Sequence, residues 1–425
     1  MIRYENKRAG KGGAELKTKL IIIASLVLVY FLGGGCAHAR DFDKQLSSIV
    51  NPYIFRVVEW EFRTIPREVN QWIFGRDEQV DDEIQLVMEY FSSVERIRIL
   101  KSEVEVIDTG NGQSDLASLE AELNILQERR TALENTVERI IEKQIREILA
   151  QQGIFNPVDR LIRLKVSFPP LNFKLEKPPH LLVISPRDRI ESMREITLLQ
   201  NISPEKIEDI EDTVDELGVS SLVVVLGGLG ATYPTFVTNE ASLRFTIDAA
   251  TEEWLHQYLI FKPLGFLYLL DLTGVSRNYE IATMNETLAS MVSKEIGSIV
   301  YSTYYSGYAD NGAYQDQQAD ADSPFNREMR EIRRAVDNYL ARGEIGPAEE
   351  FMEQKRQQLA SMGYHIRKLN QAYFAFYGTY ADSPTSISPI GLELKELKSQ
   401  SASLKDFLDA VASMTSRQDL IDSLK

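Results

Sequence analysis

Between Leu116 and Ile140 apolar side chains recur at alternating spacings of three and four: Leu116, Leu119, Leu123, Leu126, Leu133, Val137 and Ile140, broken only by Arg130. That rhythm draws one narrow apolar stripe along a helix, and the stripe must be covered by another helix. A partner is at hand in the helical pattern from about residue 81 to 107. The turn-forming Asp108-Thr109-Gly110-Asn111-Gly112 joins the two. The spacing therefore predicts an antiparallel helical hairpin inside residues 41–154, and with it a monomeric body. A parallel dimeric coiled coil is the rival, since three and a half heptads is near the lower limit for one.

Beyond residue 154 the texture changes. Prolines at 157, 169, 170, 178, 179 and 186 punctuate the short apolar runs Leu171 to Leu175 and Leu181 to Ile184, which suits strands. Ser203 and Pro204 open a helix that Gly218 closes. Ser221 to Leu226 then reads as a buried strand. Thr232 to Val237 reads as an exposed edge strand, because Pro234 lacks the N–H that an inner strand needs. Helical patterns follow over Ala241 to Phe261, stopped by Lys262-Pro263-Leu264-Gly265, and over 283–297, 325–341, 346–362 and Gly391 to Met414. The acidic stretch 306–324 has no periodicity and reads as a mobile loop. The expected fold is α+β and mainly helical. Its segments are an anchor or signal over 1–40, the hairpin over 41–154, an α+β domain over 155–305, the loop, and a helical region over 325–425.

A formal net charge of −16 on 425 residues makes nucleic acid a poor partner, because phosphate binding draws on concentrated Lys and Arg. The positive charge gathers instead at the start, where Arg3, Lys7, Arg8, Lys11, Lys17 and Lys19 precede the apolar run Leu20 to Leu32. A basic flank before such a run keeps the start in the cytoplasm and sends the body out. The expected location is the extracytoplasmic face of the cell envelope, membrane-anchored or secreted. Two cleavage signals compete there: Ala37-His38-Ala39 fits a signal peptidase site, and Gly34-Gly35-Cys36 resembles a lipoprotein box. Cys36 is the only cysteine, so the body has no internal disulfide and no thiolate metal site. Any metal must be held by carboxylates and by some of His38, His180, His256 and His365.

One helix carries such groups at useful spacing. Glu252 and His256 lie one turn apart on a single face, and Glu253 is offset enough to reach a water on an ion held by that pair. In the zinc-peptidase motif HExxH these places are two metal ligands and a general base, with Glu252 here in place of the first histidine. Thirty residues beyond His256, Asn285-Glu286-Thr287-Leu288-Ala289 matches the NExxA element that supplies the third ligand in gluzincin metallopeptidases. With the strand TYPTFV ahead of both helices, the chain from about Phe168 to Tyr380 resembles a membrane-associated gluzincin. The resemblance implies a zincin-like domain that hydrolyses peptide or protein substrates. It makes His256 and Glu286 metal ligands and Glu253 the base.

Glu252 departs from the family pattern. A carboxylate oxygen ligates zinc at about the distance of an imidazole nitrogen, roughly 2.0 to 2.2 Å, so Glu252 can serve as the remaining ligand. Two carboxylates and one imidazole cancel the charge of a dication, which weakens its pull on a bound water, and they suit manganese or iron as well as zinc. The alternative is a metal-free pseudopeptidase acting as an envelope binding or scaffold protein. For the oxyanion donor that a gluzincin needs, the candidate region is the aromatic cluster Tyr373, Phe374, Phe376, Tyr377 and Tyr380, with Tyr373 and Tyr377 taken first and His365 as the alternative. For substrate, the resemblance points to the edge strand, with Thr232, Tyr233 and Thr235. Gly227, Gly228 and Gly230 just before it leave room for another backbone. Arg244, two turns before Glu252, is a candidate partner for the clustered carboxylates.

The basic flank makes a direct prediction: protease added to intact spheroplasts degrades the body of the protein. Survival of the body under those conditions would show that it stays in the cytoplasm.

Overall fold

The computed structural model describes residues 40–56, 82–108, 113–157, 167–230, 232–308 and 323–425. The anchor segment, the turn at 109–112 and all but the ends of the acidic loop lie outside them. The chain is α+β and mainly helical, with two small three-stranded sheets. Among the described residues no helix is long and apolar enough to cross a membrane.

After α1 (Arg40–Val50) come two long helices, α2 (Glu83–Asp108) and α3 (Gln113–Gln151). Ion pairs Arg96–Glu122, Arg129–Glu89 and Lys143–Glu83 link them in antiparallel order. The first part of the α3 stripe, Leu116 to Leu133, is only half-buried, since α2 alone covers it. From Val137 onward the stripe widens to Ile140, Ile141, Ile145 and Ile148, all buried in the main core. There α3 packs on later helices as well as on α2. That core also takes Trp254, Leu288 and Phe407, so the hairpin, the middle segment and the C-terminal helices share one apolar centre.

The first sheet has the order β3–β2–β4, all antiparallel, from β2 (His180–Pro186), β3 (Arg194–Leu198) and β4 (Val219–Val225). Between β3 and β4 runs α4 (Pro204–Asp215). Ser203 caps its N-terminus and Gly218, at φ +82°, follows its end. The second sheet contains β1 (Phe173–Leu175), β5 (Gly228–Leu229) and β6 (Thr235–Val237) in the order β1–β6–β5. The expected exposed edge strand is therefore the buried centre of its sheet, parallel to β1 and antiparallel to β5. Pro234 precedes β6, so no ladder bond is lost, and Thr235 opens the strand by donating its N–H to the Asn172 carbonyl at 3.1 Å.

Both sheets protect an outer strand by the same device. Glu138 and Glu142, one turn apart on α3, accept the N–H groups of Leu175 (2.8 Å) and Phe173 (3.1 Å) on β1. Glu211 and Asp215 on α4 accept those of Val223 (2.6 Å) and Ser221 (2.7 Å) on β4. Four residues of helix rise about 6 Å and two residues of strand about 6.6 Å, so carboxylates at i and i+4 match alternate strand amides. A buried edge left open would carry unsatisfied donors and invite pairing with another chain.

The residues of the EExxH and NExxA patterns fall on α5 (Leu243–Leu259) and α7 (Tyr279–Tyr304). Between them the residues expected to stop a helix instead begin a new one, α6 (Pro263–Leu272). Pro263 occupies its first turn, where a missing N–H costs nothing. The chain continues through α8 (Pro324–Ala341), α9 (Ile345–Ser361) and α10 (Gln371–Tyr377), the last packed on β2 and β4. The single helix expected over Gly391 to Met414 is two, α11 (Pro389–Gln400) and α12 (Leu404–Ala412), followed by α13 (Arg417–Ser423). Ser401 turns extended and the Ser403 side chain caps the new start by accepting the Asp406 N–H.

Burial, against the pull of Arg146, the Phe173 N–H and Lys174, pushes the Glu142 carboxyl up from 4.5 to about 8. Between those two values the folded chain keeps a proton that the unfolded chain has lost, so this group lowers stability as pH rises through that window. Glu142→Gln keeps an acceptor for Phe173 and removes the titration. Its stability relative to wild type, from urea unfolding at several pH values, should rise across the window and level off above it. Parallel curves would contradict this.

Candidate metal and catalytic site

The α5 and α7 helices approach closely. A Cβ at Gly297 would stand 1.7 Å from Asp248 Oδ1 and 3.5 Å from Ile247 Cγ2, so any larger residue there must displace the Asp248 carboxylate from its pair with Arg244. Arg244 belongs to this contact, not to the motif carboxylates: its Nε donates to Asp248 at 3.0 Å and its Nη2 to the Lys294 carbonyl at 2.9 Å. Buried Trp254, Leu255 and Tyr258 fix the inward side of α5, and Trp254 Nε1 donates to the Pro169 carbonyl at 2.8 Å. The other side then turns Glu252, Glu253 and His256, all half-buried, toward α7 and the second sheet.

There the two motif helices meet. One oxygen each of Glu252 and Glu286 and one ring nitrogen of His256 lie within 4.8 Å of one another. His256 Nε2 stands 3.7 Å from Glu286 Oε2. On the far side of the ring, Nδ1 is 3.1 Å from Asn285 Oδ1. An amide oxygen only accepts, so a proton on Nδ1 would be donated to Asn285, with Nε2 facing Glu286. Glu286 is 8% exposed, and its other oxygen accepts a hydrogen bond from the Tyr268 hydroxyl on α6. The Tyr268 ring also lies 6.0 Å from that of His256, centre to centre.

Glu253 sits against β5. A Cβ on Gly228 or on Gly230 would come 2.4 or 2.5 Å from its carboxylate oxygens, and the Gly230 N–H donates to it. One turn on, Gln257 Nε2 donates to the Thr232 carbonyl at 3.1 Å. The glycine-rich stretch thus makes room for a side chain of α5, where a second backbone had been expected. Burial, aided by the charge of Glu286, pushes the Glu253 carboxyl up to about 7, against the pull of His256 and the Gly230 N–H. Burial raises Glu252 well above its usual range, helped by Glu253 and Glu286 and opposed by Lys294.

The residues expected to bind substrate are occupied by the fold. Thr232 is 2% exposed, with its hydroxyl donating to the Leu229 and Pro234 carbonyls, and the Thr235 hydroxyl donates to Asn172. Tyr233, between them, is half-buried. Tyr373 and Tyr377 stack at 4.5 Å between ring centres and line a different cavity. Another tyrosine of that cluster, Tyr380, lies beyond the end of α10; burial raises its phenol well above the usual range, and the charges of Glu286, Glu252 and Glu253 raise it further. His180 is a satisfied structural histidine, its Nδ1 2.8 Å from the Leu199 carbonyl, and His365 is exposed.

One residue of the site escaped the sequence reading: Tyr268 lies on the helix that a Lys-Pro-x-Gly signal concealed, and proline at a first helical turn was the clue. Tyr380 belongs to the aromatic candidate region, where periodicity gives no ground for preferring it to Tyr373 or Tyr377. No protein-family model, curated protein or solved structure matches this chain.

The β5 contact makes a stability prediction. Gly230→Ala forces a methyl group into the Glu253 carboxylate and should cost about 1–3 kcal/mol in urea unfolding, as overpacking does. Glu253→Ala vacates that space, so the double variant should recover most of the loss. Additive losses would show that the two residues do not touch.

Proposed function

We propose that this chain is a membrane-associated, extracytoplasmic metal-dependent peptidase of gluzincin type, with a zincin-like domain in which Glu252 replaces the first motif histidine. The convergence of Glu252, His256 and Glu286 within 4.8 Å carries the reading. Ligands around a tetrahedral ion at about 2.1 Å stand about 3.4 Å apart, close to the 3.7 Å between His256 Nε2 and Glu286 Oε2, so a small closure of the three side chains fits one ion. One imidazole and two carboxylates suit zinc, and also manganese or iron. The anchoring part of the proposal rests on the basic flank and apolar run at the N-terminus.

When bound, such an ion supplies a polarised water and a Lewis acid for the scissile carbonyl. The remaining work falls to the chain. Glu253, held beside the triad by Gly228, Gly230 and its bond to the Gly230 N–H, accepts the proton of the attacking water and passes it to the leaving amine. Tyr380, whose buried phenol is raised further by Glu286, Glu252 and Glu253, would donate its hydroxyl to the carbonyl oxygen as negative charge develops there. Tyr268 and Asn285 orient Glu286 and His256 from behind. The charge-neutral donor set should make hydrolysis slower than a two-histidine set would.

One observation favours a second reading, the pseudopeptidase. The Tyr268 hydroxyl and the Gly230 amide already satisfy Glu286 and Glu253 within the protein, so the fold accommodates these carboxylates unaided.

Peptide hydrolysis by site variants separates the two. Glu253→Gln should lower turnover about 10²- to 10⁴-fold with metal retained, His256→Ala should abolish both, and Glu252→His should match or exceed wild type. A wild type without activity beside an active Glu252→His variant would establish the pseudopeptidase.

A further inference from the structure

A second cavity, of about 260 Å³, lies between the start of α7, α8, α10 and the 385–390 segment, and contains none of the triad residues. Its walls are aromatic: Tyr279, Tyr373, Phe374 and Tyr377. An apolar cavity of about 150 Å³ holds a benzene ring, so this one has room for a ring and a short polar arm. The polar groups are unevenly placed. Thr283, fully buried on α7, lines the cavity beside the Tyr279 hydroxyl. Beside it stands Arg333, 15% exposed at its side chain. Its Nε is spent on Asp337 at 3.0 and 3.1 Å, while the terminal nitrogens meet only the Phe374 carbonyl, at 3.4 Å, and the Tyr279 hydroxyl. The other cation on the wall, Arg417, is committed to Glu393 through two bonds and to Glu280 through a third. Among the described residues Glu280 is the one carboxylate lining the cavity, and Arg417 pairs with it.

We propose that this cavity binds a small aromatic carboxylate, with the ring among Tyr279, Tyr373 and Tyr377 and the carboxylate on Arg333. A guanidinium with terminal donors left over favours a planar anion. Two arginines on the wall disfavour an aromatic amine, although the rings alone would suit one. A free aromatic acid and the C-terminal aromatic residue of a peptide share this chemistry. The site is independent of the peptidase reading, since no metal ligand lines it, yet Thr283 lies one helical turn from Glu286 on α7.

The test is isothermal titration of the purified full chain, treated with chelator so that the metal site plays no part. The probes are 3-phenylpropionate, 3-phenylpropylamine, and a tripeptide ending in phenylalanine as free acid and as amide. The carboxylate is expected to bind with Kd of about 0.1–1 mM, the amine and the amide at least tenfold more weakly. Arg333→Met should weaken the acid at least tenfold, and Ser386→Phe, which fills the cavity, should do the same without touching a charge. Unliganded melting curves confirm that each variant is folded. Tighter binding of the free-acid tripeptide than of 3-phenylpropionate identifies a peptide terminus as the ligand, and the reverse order identifies a free acid. No saturable binding, equal binding of the amine, or full affinity in a folded Ser386→Phe variant would overturn the proposal.

Discussion

The contact between α5 and α7 is the constraint on which the candidate site depends. Gly297 lets the helices approach to the point where a methyl group would strike Asp248, and the Arg244–Asp248 pair closes the same contact. With Trp254, Leu255, Leu288 and Val292 locked in the common core, the two helices have no freedom to rotate their polar faces apart. Glu252, Glu253, His256 and Glu286 are therefore held together although three of them carry like charge. The fold absorbs that repulsion in three ways: burial favours the protonated carboxyls, Tyr268 donates to Glu286, and Gly230 donates to Glu253.

Carboxylates perform structural work elsewhere in the molecule too. Glu138 and Glu142 close the edge of one sheet, and Glu211 and Asp215 close the edge of the other. Glu211 is further held by Arg367 at 2.6 Å and faced by Lys368 at 3.6 Å. A helix laid beside a strand edge needs acceptors at that edge and counter-charges behind them, and both sheets meet the first need in the same way. The acidic composition of the chain is thus partly a means of finishing two small sheets that lack enough strands to cover themselves.

Much of this was legible in the sequence where local chemistry decides the outcome. Ser203 with Pro204, the α3 stripe, and the four-residue step from Glu252 to His256 each encode a geometry that survives folding. The misreadings arose where tertiary contacts decide. Pro234 looked like the mark of an exposed edge, but it stands one residue outside β6 and the strand is central. The glycines at 228 and 230 correctly signalled close approach, while the approaching group, Glu253, comes from a helix more than 20 residues later. Tyr373, Tyr377 and Tyr380 were indistinguishable as an aromatic cluster. Only the end of α10 at Tyr377 separates the first two, in the second cavity, from the third, whose phenol is raised further by Glu286, Glu252 and Glu253.

If Glu252, His256 and Glu286 form one metal site, zinc titration of the purified protein, read by calorimetry and by metal content after dialysis, should give one equivalent of metal for wild type and none for His256→Ala. A metal-free wild type that stays metal-free even as Glu252→His would contradict a shared metal site at these residues.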